Sequence, residues 1–170
     1  MNLSEMTGKV IEFKQNSFLK RYYELRYENN VLGTIQITGF FGQRVLVNLD
    51  GKNWEIYKPS FWKSETAVRP LGYEMPIAKF IRKGFGKTGI INLERGQSLK
   101  VVFPAFKPRI EIQTEDGLVI ASLKFKVGFV EKAEIHLEHN STLLDENPWI
   151  IPLVLFVAIE NRHSTIAATS

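Results

Sequence analysis

The sequence predicts a mainly β protein in which a closed antiparallel sheet surrounds a buried C-terminal helix, and three observations carry that expectation. Between Lys20 and Asn140, short runs rich in Val, Ile, Phe and Tyr alternate apolar with polar residues. Gly, Asn, Asp and Pro separate those runs at turn-like spacing. From Pro148 to Ile159 the pattern gives way to a segment that is apolar on every side. The chain has 170 residues, 44% of them hydrophobic, which suits one domain, 1–170, with a sizeable core.

The strand signal begins at Tyr23-Leu25-Tyr27 and continues through Val31-Gly33-Ile35-Ile37, Trp54-Ile56 and Leu99-Val101-Phe103. Successive side chains on a strand point to opposite faces, so each run buries one face. Later runs keep the rule. Ile110-Ile112 alternates with Arg109 and Glu111, Val119-Ala121-Leu123-Phe125-Val127 with Ser122, Lys124 and Lys126, and Ile135-Leu137 with Glu134, His136 and Glu138. Such half-polar strands belong to antiparallel sheets with one wet face. Glu28-Asn29-Asn30, Asp50-Gly51, Glu94-Arg95-Gly96 and Glu115-Asp116-Gly117 supply residues that tolerate positive φ, and they predict sequential hairpins. The runs give ten to twelve strands. That is too many for one strongly twisted open sheet to stay flat, so a closed barrel or a sandwich is expected.

The apolar segment starts after Asn147, a capping residue, with Pro148 suited to a first helical turn, and it predicts a helix near 148–163. A helix apolar all round must be surrounded by protein or lipid. Its apolar stretch would span only about 18 Å against a hydrocarbon core of about 30 Å, so protein is the expected surrounding, with the helix threaded through the closed sheet. A fully buried strand is the competing reading, because Val, Ile and Phe abound and Pro152 removes a helical hydrogen bond beyond the first turn. Ser164 to Ser170 is expected to fray. Asn140-Ser141-Thr142 matches a glycosylation acceptor, but a turn after a strand is the expectation.

Chemistry-bearing patterns are sparse. Cysteine is absent, which excludes disulfides, thiolate metal sites and a Cys nucleophile. Lys87-Thr88 follows Gly86 as in a phosphate-binding loop, but the earlier Gly that loop requires is replaced by Ile81, and a strand rather than a helix is expected to follow. His136 and His139 fall on opposite faces of a strand, while Glu134, His136 and Glu138 share one; a solvated face explains them, and no metal or cofactor is expected. No nucleophile elbow is present, and nothing points to an enzyme. Met1 to Val10 lacks signal-peptide character, so a cytoplasmic location is expected.

Charge is more informative. The chain carries 22 Lys and Arg against 18 Asp and Glu, a formal net charge of +4. From Lys58 to Lys87 the basic residues Lys58, Lys63, Arg69, Lys79, Arg82, Lys83 and Lys87 face only Glu65 and Glu74, whereas Glu131 to Glu146 is acidic apart from Lys132. Basic side chains beside Gly-rich backbone suit an anionic ligand. Lys79, Arg82, Lys83 and Lys87, with Arg69, are therefore nominated as head-group ligands, and Phe85 as an apolar anchor. A solvated strand edge kept soluble by Lys and Arg explains the same residues. Nucleic acid is not expected, because the aromatics alternate as core residues and are not interleaved with basic ones.

Val31-Leu32-Gly33-Thr34-Ile35, Trp54-Glu55-Ile56, Pro76-Ile77-Ala78-Lys79-Phe80, Asp116-Gly117-Leu118 and the Pro148 to Ile159 segment give a sequence that resembles the tubby C-terminal-like superfamily. That superfamily includes the tubby domain, the plant LURP-one-related proteins and the phospholipid scramblases. The resemblance covers nearly the whole chain and implies a barrel of about twelve strands around a central hydrophobic helix, with no catalysis as a family property. In tubby domains a basic pocket binds phosphoinositide head groups. The five residues nominated above come from local charge and are not carried over from that pocket. The scramblases' membrane anchor and cysteine-rich features have no counterpart in this sequence. The expected function is thus a non-enzymatic tubby-like domain, cytoplasmic or peripheral to a membrane, that binds anionic lipid head groups. The alternatives are a protein-interaction scaffold, and a carrier or enzyme for an apolar small molecule, which needs an empty lumen.

Overall fold

The structure, a computed structural model, describes residues 2–17, 20–39, 44–60, 64–83, 87–104, 109–126 and 131–168. These form twelve strands: β1 (Val10–Ser17), β2 (Lys20–Tyr27), β3 (Asn30–Thr38), β4 (Arg44–Leu49), β5 (Lys52–Tyr57), β6 (Glu65–Pro70), β7 (Ala78–Lys83), β8 (Thr88–Asn92), β9 (Ser98–Val102), β10 (Arg109–Gln113), β11 (Val119–Lys126) and β12 (Lys132–Leu137). Each strand pairs antiparallel with its sequence neighbours, and β1 closes on β12 in the register Val10↔His136 to Lys14↔Lys132. The sheet is a closed barrel, which settles the choice between barrel and sandwich. Closure also removes strand edges, so β7 is flanked by β6 and β8 and its lysines do not protect an edge.

Local sequence fixes the hairpins. Asp50 and Gly51 both take positive φ, 50° and 74°, the pair a two-residue type I′ turn requires between β4 and β5. Glu28, Arg95, Gly96 and Gly117 do the same at the other predicted turns. The predicted alternation holds at Ile35, Ile56, Val101 and Ile112, which are buried, as are Val47, Phe80 and Ile91 on the strands between; Val31, expected inward, is 48% exposed where the β2–β3 register shifts between Leu25 and Arg26.

The buried positions pack around α2 (Ile150–Ala168), in which every residue from Ile150 to Ile159 is buried. Pro152 is the third residue of this helix, inside the first turn where its missing N–H breaks no bond, so the strand alternative falls. The backbone stays helical to Ala168, past the expected end near 163 and through most of the segment expected to fray. Asn147 does not cap α2. It ends a short helix that the sequence reading did not foresee, α1 (Thr142–Glu146), its N–H donating to the Leu143 carbonyl at 3.0 Å. Ser141 caps α1 by accepting from the Leu144 N–H at 3.4 Å, so the Asn140-Ser141-Thr142 triplet forms a helix start.

A 3-10 turn (Leu3–Met6) docks on α1 where α2 enters the barrel. The Ser4 N–H donates to the Asp145 carboxylate at 2.8 Å, the Ser4 hydroxyl bonds the same carboxylate, and Leu3 and Leu144 are buried beneath. Contacts of Arg82 with the Val157 carbonyl and of Lys58 with Glu160 mark the opposite end, where α2 leaves.

Candidate anion-binding rim

The five nominated basic residues fall into three environments. Arg69, on β6, donates through Nε to Glu55 at 2.7 Å and stacks 4.4 Å from the centroid of the Tyr57 ring. Glu55 is 4% exposed and also accepts from Arg44 Nε at 2.6 Å. The Glu55 hydrogen bond raises the Arg69 pKa further above its ordinary value. A buried carboxylate held by two guanidiniums is a structural clamp on the outer face of β4–β6.

Lys79 projects outward from β7, but its ammonium lies 2.9 Å from Glu65, whose hydrogen bond raises the lysine pKa. Arg82 follows the inward parity of Ala78 and Phe80. Its guanidinium lies 3.5 Å from the Val157 carbonyl of α2 and 6.0 Å from the Phe103 ring centroid, and burial lowers its pKa. Lys83, the last residue of β7, and Lys87, just before β8, are exposed and make no ion pair with any described residue.

The structure therefore brings Lys83 and Lys87 together at one hairpin, engages Lys79 and Arg69 elsewhere, and turns Arg82 inward. Gly84, Phe85 and Gly86, including the nominated apolar anchor, lie outside the described residues.

Other motifs resolve on the same strands. Thr88 and Gly89 enter β8, not a helix, and a Cβ at Gly89 would overlap the Phe80 ring, so that glycine is required by packing. His136 faces outward 3.9 Å from Glu134, and His139 Nδ1 lies 2.8 Å from the Val119 carbonyl. Among the described residues no group of three His, Cys, Asp or Glu is arranged to hold a metal. Ser122 sits directly opposite His136, but its hydroxyl donates to Glu138 at 2.8 Å.

Two surface features escaped the sequence reading. Leu71, Tyr73 and Met75 in the β6–β7 connection are 49%, 68% and 77% exposed, and their only signal in the sequence is apolar residues inside a turn segment. Lys14, Lys132 and Lys126 form one cross-strand row, Lys14↔Lys132 and Lys132↔Lys126, which exists only because the barrel closes. Concavities on the outer wall include one of about 430 Å³ between Arg21, Tyr22, Gln36 and Ile37, and one of about 340 Å³ beside Trp54, Leu71 and Tyr73.

No family model matches the chain, and no curated protein matches it. Among solved structures, the X-ray structure of a protein from Arabidopsis thaliana, AT5G01750, is similar to it with a TM-score of 0.59 and 10% identity, covering 91% of this chain and 93% of that one. At that identity the likeness is one of fold, and it runs nearly end to end over both chains. No helix among the described residues is long and apolar enough to cross a membrane.

Proposed function

We propose that the chain is a non-enzymatic tubby-like barrel that binds anionic lipid head groups through the end of the β7–β8 hairpin. The closed barrel around an apolar helix and the plant structural neighbour support the tubby-like reading. The observation that carries the binding reading is the pair Lys83 and Lys87: both are exposed and neither is neutralised by a described carboxylate, whereas Arg69 and Lys79 are. An uncommitted ammonium offers three donors to a phosphate at little reorganisation cost. Co-sedimentation with neutral, phosphatidylserine and phosphoinositide vesicles tests it. Preference for phosphoinositide, lost in Lys83→Gln/Lys87→Gln, is the expected result; failure to bind any anionic vesicle removes the reading.

A second reading, a protein-interaction module, is favoured by the exposed Leu71, Tyr73 and Met75 at the other end of β6. A carrier for an apolar molecule loses support, because α2 occupies the lumen with buried side chains.

A further inference from the structure

The outer wall of the barrel is unevenly charged. On β10 to β12 its outward positions carry Arg109, Glu111, Lys124, Lys126, Glu134 and His136. On the other side two outward rows cross the strands without a charge: Tyr22–Gln36–Leu46 over β2 to β4, and Thr34–Asn48–Asn53 over β3 to β5. Leu71 continues the second row, because its N–H donates to the Asn53 carbonyl at 3.0 Å and extends the β5–β6 pairing past Pro70.

Two concavities lie on this side, one of about 170 Å³ over the rows and one of about 340 Å³ beside Tyr73, and they share Asn53, Trp54 and Leu71 as lining. Together they form one groove that crosses β2 to β6. At about 4.8 Å per strand it is about 19 Å long. The β6–β7 connection that walls it is held in place. Arg69, itself gripped by the buried Glu55, donates to the Glu74 carbonyl at 3.3 Å, and the Tyr73 N–H donates to the Pro70 carbonyl at 3.1 Å. Gly72 completes this turn with a φ of 89°. Tyr73 is thereby an exposed ring on a fixed backbone, which loses little conformational freedom on binding.

The hydrogen-bonding groups of the groove are unbalanced. Among the described residues no carboxylate or imidazole lines it, and the two carboxylates bordering the rows, Glu24 and Glu55, are occupied by Arg26 and by Arg44 with Arg69. Asn48 Nδ2 donates to Asn53 Oδ1 at 2.7 Å, which uses that acceptor and leaves the Asn53 amide N–H groups to donate. Lys52, Trp54, Tyr22 and Tyr73 among the lining residues each carry a further donor. A matching ligand is uncharged, largely apolar, rich in acceptors and poor in donors.

A proline-rich segment has that chemistry. Proline lacks an N–H, so its carbonyls accept with no donor beside them, and its rings pack on aromatic faces. In the polyproline II form it is extended before it binds, and at about 3.1 Å per residue about six residues fill the groove. A neutral oligosaccharide fits less well, because each of its hydroxyls brings a donor to a lining short of acceptors.

We propose that this groove docks a proline-rich, polyproline II segment of a partner protein, with Tyr22 and Tyr73 against proline rings and Asn53 donating to a proline carbonyl. The inference rests on the protein-interaction reading above and names the chemistry of the partner. It does not depend on the head-group lysines.

The test is fluorescence anisotropy of labelled decaproline with the full chain, at protein concentrations up to about 1 mM. It compares wild type, Tyr73→Ala, Asn53→Asp, which keeps the shape but sets a carboxylate against the peptide carbonyls, and Lys124→Gln on β11, diametrically across from β5. Saturable binding should weaken about tenfold in each of the two groove variants and keep its wild-type strength in Lys124→Gln, with all four proteins melting alike. Absence of wild-type binding overturns the proposal, as does full binding in either groove variant. A phage-displayed library of decapeptides separates it from the broader reading: selection of proline-free peptides whose capture is lost in Tyr73→Ala overturns the polyproline assignment and keeps the interaction module, whereas no Tyr73-dependent peptide at all removes the module as well. Displacement of decaproline by maltohexaose assigns the groove to carbohydrate, and self-association in sedimentation that Tyr73→Ala abolishes assigns it to a second copy of the chain; either result overturns the proposal.

Discussion

Tyr23 shows how a single side chain depends on closure of the barrel. Its ring is 1% exposed and stacks on Phe13 at 4.8 Å, and its hydroxyl donates to Glu131 at 2.8 Å. Burial, reinforced by the Glu131 charge and hydrogen bond, raises the phenol pKa well above its ordinary 10.0. The alternation of the sequence identified Tyr23 as an inward residue, but its partner follows β11 in sequence and reaches it only because β1 joins β2 to β12. Tyr23→Phe should cost about 1 kcal/mol at neutral pH, the net worth of one hydrogen bond, in urea unfolding. The folded phenol holds its proton above pH 10 while the unfolded one releases it, so the unfolded state then binds fewer protons and wild-type stability falls as pH rises. The stability difference between wild type and Tyr23→Phe should therefore shrink above pH 10; a difference constant from pH 8 to 11 would show that the hydroxyl is not buried against Glu131.

At the scale of the element, Gly33 explains how β3 and β4 lie together. The sequence places it in the apolar alternation as though it filled the core, and glycine fills nothing. In the structure Gly33 pairs directly with Leu49, and a Cβ there would overlap the Leu49 side chain. Gly33→Val should thus destabilise by about 1–3 kcal/mol through overpacking, whereas Thr34→Val, on the outer face, should melt close to wild type. Equal melting temperatures for the two variants would mean that Leu49 moves aside freely. Strands and hairpin turns were legible because their signals are local: a period of two and residues that accept positive φ. The ends of α2 were less so. Asn147 has the chemistry of an N-cap, but its side-chain amide and its backbone N–H both donate to the Leu143 carbonyl and finish α1 first. The nominated rim was legible as a charge run, yet strand parity, which sends Arg82 inward and Lys79 toward Glu65, divided its members.

At the scale of the whole molecule, α2 is both the core and the closure of the lumen. Its apolar stretch could be read in the sequence as surrounded by protein and threaded through a closed sheet, because a helix apolar all round and too short to span a bilayer has no other place, and the closed ring of twelve strands bears that out. Leu155 lies mid-stretch, 1% exposed, in the row of buried residues from Ile150 to Ile159. Leu155→Asp would place a carboxylate where the lumen is lined by hydrocarbon, and an unpaired buried charge costs several kcal/mol or forces protonation. Against a typical domain stability of about 5–15 kcal/mol, that loss is enough to abolish cooperative folding near neutral pH. Leu155→Met keeps the volume and should cost less than about 1.5 kcal/mol, so the pair separates charge from shape. Thermal melts followed by circular dichroism decide the matter: a cooperative transition near wild type in Leu155→Asp would mean that α2 can leave the lumen without unfolding the barrel. The lumen would then be open to an apolar ligand, and the carrier reading would regain the site that the buried helix takes from it.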